Sequence, residues 1–511
     1  MNDDPKPRTG PTVRVITGQI RPPAPAGSAG TSLDAGQVTV SGQLVLADSL
    51  AVRSRRADAL LQAGDLDGAE AEIAAMARQK PDSPLLRHLQ ARLLFHRQRW
   101  DEAEAAWAEL MRLRPDEAAI AHGHAATLAR MRRFKQARAE LSTVVRRWPD
   151  FLLARLNLAG LLRQEFRQPR SALAVLEPAL ATHDRNPTLH FNRGRAQQDL
   201  LDTDGAIASY LRALERDPAH MRAFTAYPFC THYLPRPDLD ALRQWIESHG
   251  RQLRRPEALP PRQAATAPGP ALRVGLLSGD LCDHPVAYFL ESVLTALQRR
   301  GVQLFAYATG DKADAVTQRL RRSVTGWHDG AALSERELAQ RIADDRLDVL
   351  LDLAGFTNHH RLGTLLMRPA PLQLGWLGYF GTQGVPEMDG VIADPHCVPP
   401  HERRFFSERL LYLPHTRLCL SPPEGAPEPA PEPPLANASG LRFACLQNLN
   451  KINGRVLAAW KRILDGAPGA TLLIQGRQLA QPEVRAVFEA RLDASGIDRS
   501  RVTLGRPCAR A

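Results

Sequence analysis

From residue 271 onward, apolar runs of strand length alternate with amphipathic stretches of helix length: LRVGLLSGD, PVAYFLESVLTALQRRG, VQLFAYAT, SERELAQRIADDR and LDVLLDLAG. That alternation predicts an α/β domain built on a parallel sheet. It continues through PLQLGWLG, GVIAD and RLLYLP and breaks at the proline-rich stretch SPPEGAPEPAPEPPLANASG. A second α/β unit then begins, with LRFACLQ, ATLLIQG and RVTLGRP as strands and GRVLAAWKRILDGAP and PEVRAVFEARLDASG as the helices between them. Three strands and two helices are about half of a doubly wound domain, so this second lobe is expected to be incomplete at Ala511.

Upstream the chain repeats itself. Pro81, Pro115 and Pro149 recur every 34 residues, each 12 after an alanine: Ala69, Ala103 and Ala137. Ala172 and Ala206 continue the series, followed by Pro187 and Pro218, and small residues stand 12 before each alanine at Ala57, Ala91, Ala125, Gly160 and Gly194. A 34-residue helix-turn-helix with small residues at the crossing and proline ending the second helix is the tetratricopeptide repeat. The large apolar residue expected three before the alanine is present as Leu66, Trp100 and Phe134 and fails at Pro169 and Thr203, so the last two repeats are expected to be less regular. Such repeats stack into an α superhelix whose concave face holds extended peptides, or they serve as a spacer. His122, His124, Arg130 and Arg132 either line that face or are solvated.

The expected organisation is a disordered arm over 1–48, tetratricopeptide repeats over 49–221 and a helical linker over 222–270 containing LDALRQWIESHGRQLR. A first α/β lobe follows over 271–420, then the proline-rich linker over 421–440 and a partial second α/β lobe over 441–511.

Charge narrows the partners. The chain has 66 basic and 55 acidic residues and a net charge of +11, but only six basic residues are lysines and the arginines are spread through every segment. Dispersed arginine without a basic patch argues against nucleic-acid binding. Cys230, Cys282, Cys397, Cys419, Cys445 and Cys508 form no C-x-x-C pair, which argues against structural zinc and a disulfide framework. With no apolar leader and no membrane-spanning run, a soluble cytoplasmic protein is expected.

Three places are candidates for chemistry. In MRPAPLQLGWLGYFGTQGVPEMD, Met367 to Asp389, an apolar run ends in a loop carrying Gly378, Gly381 and Gly384. Such glycines let backbone approach a ligand, or simply form a tight loop. His284 follows the first strand in GDLCDHPVAYFLES, with Pro285 suited to the first helical position. There it is either a ring able to accept a proton or bind a hydroxyl, or a cap. Lys451, in CLQNLNKINGRVLAAW, precedes a helix that Asn453 is placed to cap, and Asn448 shares its loop. An ammonium beside a helix N-terminus suits a diphosphate; a solvated loop lysine is the other reading.

The segment RPAPLQLGWLGYFGTQGVPEMD, the DHP that opens the first helix, SERLLYLPHT at 407–416 and NLNKI at 448–452 together resemble the O-linked N-acetylglucosamine transferase and SPINDLY-like family. The order of repeats followed by two Rossmann-like lobes of the GT-B type is also that family's. The resemblance implies an inverting, metal-independent glycosyltransferase that needs no cofactor beyond a nucleotide-sugar, UDP-N-acetylglucosamine, and modifies Ser or Thr of protein or peptide acceptors held by the repeats. It implies an active-site role for His284, as the candidate base, and stabilisation of the leaving diphosphate by Lys451. Asn448, Gly378 and Thr382 fall at donor-binding positions. Two departures stand out. Phe380 occupies a place where the family commonly has proline, and the family's Thr-Thr donor loop and ribose-binding acid would lie beyond 511. A GDP-fucose-dependent enzyme of the same fold and a non-catalytic repeat scaffold remain alternatives.

Overall fold

A computed structural model describes residues 49–257, 259–260, 271–423, 425–426, 428 and 440–505. The expected arm over 1–48, most of the proline-rich linker and Cys508 lie outside the described residues. Contacts divide the chain into two compact units, one holding the described residues up to His183 and the other those from Asp184 on.

The first unit is built from helical pairs: α1 (Leu50–Ala63) with α2 (Leu66–Gln79), α3 (Pro84–His96) with α4 (Trp100–Leu113), and α5 (Ala118–Arg130) with α6 (Phe134–Arg147). Ala57, Ala69, Ala91, Ala103, Ala125 and Ala137 are fully buried. At these crossings a methyl group is all the space allows, which is why the 34-residue period is so clear. The fourth repeat pairs α7 (Leu152–Gln164) with a broken second helix, in which α8 (Pro169–Leu176) passes through a 3₁₀ turn at Glu177–Ala179 into α9 (Leu180–His183). Pro178 causes the break, because it removes a helical N–H and its ring crowds the preceding turn. A Cβ on Gly160 would meet nothing within 4 Å, so this small residue marks no tight crossing.

The second unit opens with a fifth pair, α10 (Pro187–Asp199) and α11 (Thr203–Arg216), followed by two helices, α12 (Met221–Thr231) and α13 (Leu239–Gln252), where one helical piece was expected. Seven parallel strands follow: β1 (Arg273–Ser278), β2 (Gln303–Ala308), β3 (Gly326–Asp329), β4 (Val349–Asp352), β5 (Leu372–Gly375), β6 (Gly390–Ala393) and β7 (Arg409–Tyr412). Their order is β3-β2-β1-β4-β5-β6-β7, and the helices between them include α14 (Pro285–Arg299), α15 (Ala315–Arg322), α16 (Glu335–Asp344) and α17 (Leu362–Leu365). In this doubly wound order the chain reverses direction between β1 and β4, which opens a crevice beyond their carboxyl ends. A second parallel sheet, in the order β10-β9-β8, comprises β8 (Arg442–Cys445), β9 (Thr471–Gln475) and β10 (Val502–Gly505), with α18 (Gly454–Gly466) and α19 (Pro482–Ala494) between them. No helix among the described residues is long and apolar enough to cross a membrane.

Leu201 ties the fifth pair to the second sheet. Each pair turns through one left-handed residue, at Gly64, Gln98, Arg132, Arg167 and Leu201. The first four are exposed, whereas Leu201 is fully buried in the apolar cluster of Leu457, Phe488 and Leu492. Around it Arg491 donates to the Leu201 carbonyl, Asn453 to that of Tyr233 at 3.3 Å and Arg455 to that of Pro235 at 2.9 Å. Leu201→Ala is expected to destabilise this lobe by about 2–5 kcal/mol. Amide hydrogen exchange should then accelerate in β8–β10 and not in β1–β7; equal acceleration in both sheets would contradict the anchoring role.

Candidate active site

The crevice between β1 and β4 is walled by loops packed backbone against backbone. Beyond β1, a Cβ on Gly279 would lie 2.3 Å from that of His359, and one on Gly310 would lie 2.2 Å from the Gly279 carbonyl oxygen. Only glycine lets the loops after β1, β2 and β4 converge there. Thr309 fastens the junction by donating its hydroxyl to the His359 carbonyl at 2.9 Å. His359 has φ 59° and Leu377, in the loop after β5, has φ 77°. Left-handed backbone in such residues is uncommon and is held in place by its surroundings.

His284 caps α14, its Nδ1 accepting the Val286 N–H at 3.3 Å, with Pro285 at the first helical position. That bond uses the Nδ1 lone pair, so the neutral ring carries its proton on Nε2 and presents a donor. Asp280 lies behind it, with Oδ2 3.6 Å from His284 Nδ1; the His284 side chain is 42% exposed and that of Asp280 16%. Burial raises the Asp280 pKa, while His284 and His359 oppose the rise. The expectation of His284 as base thus meets a ring whose accepting nitrogen is occupied.

The glycine-rich loop is held by two buried carboxylates. Asp352, at the end of β4, accepts the N–H groups of Ala354 and Gly355, both at 3.0 Å, and Gln383 Nε2 at 2.8 Å. Its burial raises its pKa against those three bonds. Glu408 accepts the Thr382 hydroxyl at 2.6 Å and the N–H groups of Gln383 and Gly384 at 2.7 and 3.0 Å. Thr382 is itself buried, and its hydroxyl bonds within the loop's own frame. Gly378 is likewise explained by packing, since a Cβ there would fall 2.0 Å from the Leu353 carbonyl oxygen. Both residues thus shape the loop. Phe380 is 47% exposed, with its ring centroid 4.9 Å from that of His232 and 5.3 Å from that of Tyr379.

On the second sheet, Asn448 and Lys451 share the loop between β8 and α18. Asn448 Oδ1 accepts the backbone and side-chain N–H groups of Asn450 at 3.0 and 3.2 Å, opening a 3₁₀ turn over Leu449–Lys451. Lys451 is exposed and its Nζ donates to Gln447 Oε1 at 3.1 Å. Asn453 caps α18 through the N–H groups of Arg455 and Val456. His284 and Lys451 therefore occupy equivalent places, each after the first strand of a parallel sheet and beside the next helix's N-terminus. No hydrogen bond or ion pair among the described residues joins them. Sequence reasoning missed Asp280, His359, Asp352 and Glu408; the spacing of Asp280 four residues before His284 in GDLCDHP is the one signal that pointed to any of them.

Comparison with known proteins follows the same outline. Residues 253–419 match the model of glycosyl transferase family 41, and residues 54–118, 122–167 and 159–221 match that of the tetratricopeptide repeat. A probable UDP-N-acetylglucosamine–peptide N-acetylglucosaminyltransferase SPINDLY of Solanum lycopersicum is 34% identical over 237 residues, 46% of this chain and 25% of that protein. The UDP-N-acetylglucosamine–peptide N-acetylglucosaminyltransferase of Caenorhabditis elegans is 31% identical over 150 residues, 29% of this chain and 13% of that protein. The match thus spans a quarter or less of the length of these curated relatives. A solved mutant of the Thermobaculum terrenum O-GlcNAc transferase superposes with a TM-score of 0.68 at 29% identity, covering 77% of this chain and 75% of that one. The resemblance read from the motifs is borne out, as is a fold of helical repeats followed by parallel-sheet α/β structure.

Thr382→Val removes a hydrogen bond to a buried carboxylate and is expected to cost about 1.5–3 kcal/mol of stability. Thermal unfolding measures it, and an unchanged midpoint would contradict the hydroxyl's part in the loop's frame.

Proposed function

We propose that this chain transfers N-acetylglucosamine from UDP-N-acetylglucosamine to serine and threonine hydroxyls of proteins, with inversion at the anomeric carbon and without a metal. The observation that carries this reading is the equivalent placement of His284 and Lys451 beside helix N-termini, in a chain whose residues 253–419 match a glycosyltransferase family.

Displacing a nucleoside diphosphate builds negative charge on the leaving group. A flexible ammonium and a helix N-terminus stabilise that charge directly, which is the part assigned to Lys451 and α18. Asn448, whose Oδ1 is held by Asn450, keeps its amide nitrogen for the donor. His284 Nε2–H donates to an oxygen of the bound substrates and so orients the reacting hydroxyl. Asp352 and Glu408 keep the loop over 376–384 in one shape, with Gly378 and Thr382 as parts of its frame. The repeats contribute by holding an extended stretch of the acceptor protein, so that remote binding positions one hydroxyl at the crevice.

The test is Lys451→Ala, assayed for sugar transfer to a protein acceptor and separately for acceptor binding. Transfer is expected to fall by about 10²–10³-fold, the scale of losing one charge-stabilising group, with acceptor affinity unchanged. Retained turnover would remove Lys451 from the reaction.

A further inference from the structure

The transferase reading leaves the acceptor's proton without a destination, because His284 spends its accepting nitrogen on the α14 cap. We propose that Asp280, and not His284, accepts the proton of the attacking hydroxyl; this rests on the transferase reading above.

The geometry selects Asp280. It stands directly beyond β1, at the crevice where the β1 and β4 loops meet, and its backbone N–H is pinned to Ser278 Oγ at 3.0 Å. The side chain is largely enclosed yet reachable, and among the described residues no backbone N–H group donates to its carboxylate, in contrast to Asp352 and Asp394. At 3.6 Å, its Oδ2 is too far from His284 Nδ1 for a hydrogen bond. The titratable groups that face Asp280 are His284 on its own loop and His359 from the loop after β4. Cys282 neighbours Asp280 electrostatically, and Lys312, Asp314 and Asp283 neighbour Cys282. Burial raises the carboxyl pKa, and a carboxylate of raised pKa is a stronger base. Asp352 has a raised pKa as well, but three donors occupy it and its enclosure is complete.

The step balances within the substrates and this one group. The acceptor oxygen forms a bond to the anomeric carbon, and the bond from that carbon to the diphosphate oxygen breaks. Its electron pair leaves on the diphosphate, and the hydroxyl proton passes to the Asp280 carboxylate. His284 Nε2–H and the His359 ring border the site and hold no net role in the proton's transfer.

Asp280→Asn keeps the shape and removes the base. In transfer assays on the full chain, kcat is expected to fall by about 10²–10⁴-fold with little change in KM for donor or acceptor. The acid limb of the pH profile should vanish in Asp280→Asn and persist in His284→Asn and His359→Gln. Should Asp280→Asn fold poorly, Asp280→Glu is the second variant, expected to stay measurably active with the limb displaced. An Asp280→Asn enzyme with unchanged kcat, or a limb lost instead in His284→Asn, overturns the assignment while leaving the transferase reading intact. An unsubstituted chain that transfers no sugar overturns that reading, and the assignment with it.

Discussion

Gln383 joins two buried carboxylates that would otherwise be intolerable. Its side chain donates to Asp352 and its backbone N–H to Glu408, so the loop after β5 is fastened to the end of β4 on one side and the start of β7 on the other. A carboxylate removed from water is costly unless hydrogen bonds replace its hydration, and here three donors surround Asp352 and four, counting the Ser407 hydroxyl, surround Glu408. The loop cannot move without stranding one of these charges. Its rigidity fixes the wall of the crevice at the β1–β4 reversal, and with it the surroundings of Asp280 and His284.

The two α/β sheets use one local device twice. In each, the first strand runs into a short loop whose polar residue stands beside a helix N-terminus, His284 before α14 and Lys451 before α18. A helix N-terminus favours negative charge, so both loops are suited to groups that carry or develop it. The side chains differ in how far their polar atoms are already engaged. His284 is locked as a cap, whereas Lys451, among the described residues, holds only Gln447 and can exchange that contact for an anion. Leu201 places the fifth helical pair against the second sheet, so the position of Lys451 depends on a residue some 250 positions earlier.

What the sequence made legible follows from how strictly each feature is constrained. The repeats were readable because a fully buried alanine at every crossing admits no larger residue, and the α/β alternation because buried parallel strands are continuous apolar runs. β3 was missed because GWHD is a short, half-exposed edge strand without an apolar run. Gly378 and Thr382 were legible as required residues, although a motif records that a residue is required without saying by what. The structure shows that Leu353 and Glu408 require them. Glu408 and Asp352 had no local signature, since apart from the Ser407 hydroxyl beside Glu408 their partners lie 24 to 31 residues away or are backbone N–H groups. The break at Pro178 was visible in outline as the irregularity of the fourth repeat.

In the proposed reaction the loop carrying Asn448 and Lys451 receives a uridine diphosphate. Calorimetric titration of the 511-residue chain with UDP and then GDP, without added metal, tests it most directly. Saturable one-to-one binding of UDP that weakens as salt screens the ammonium is expected, with no comparable binding of GDP. Binding of GDP in preference to UDP, or of neither, would contradict it.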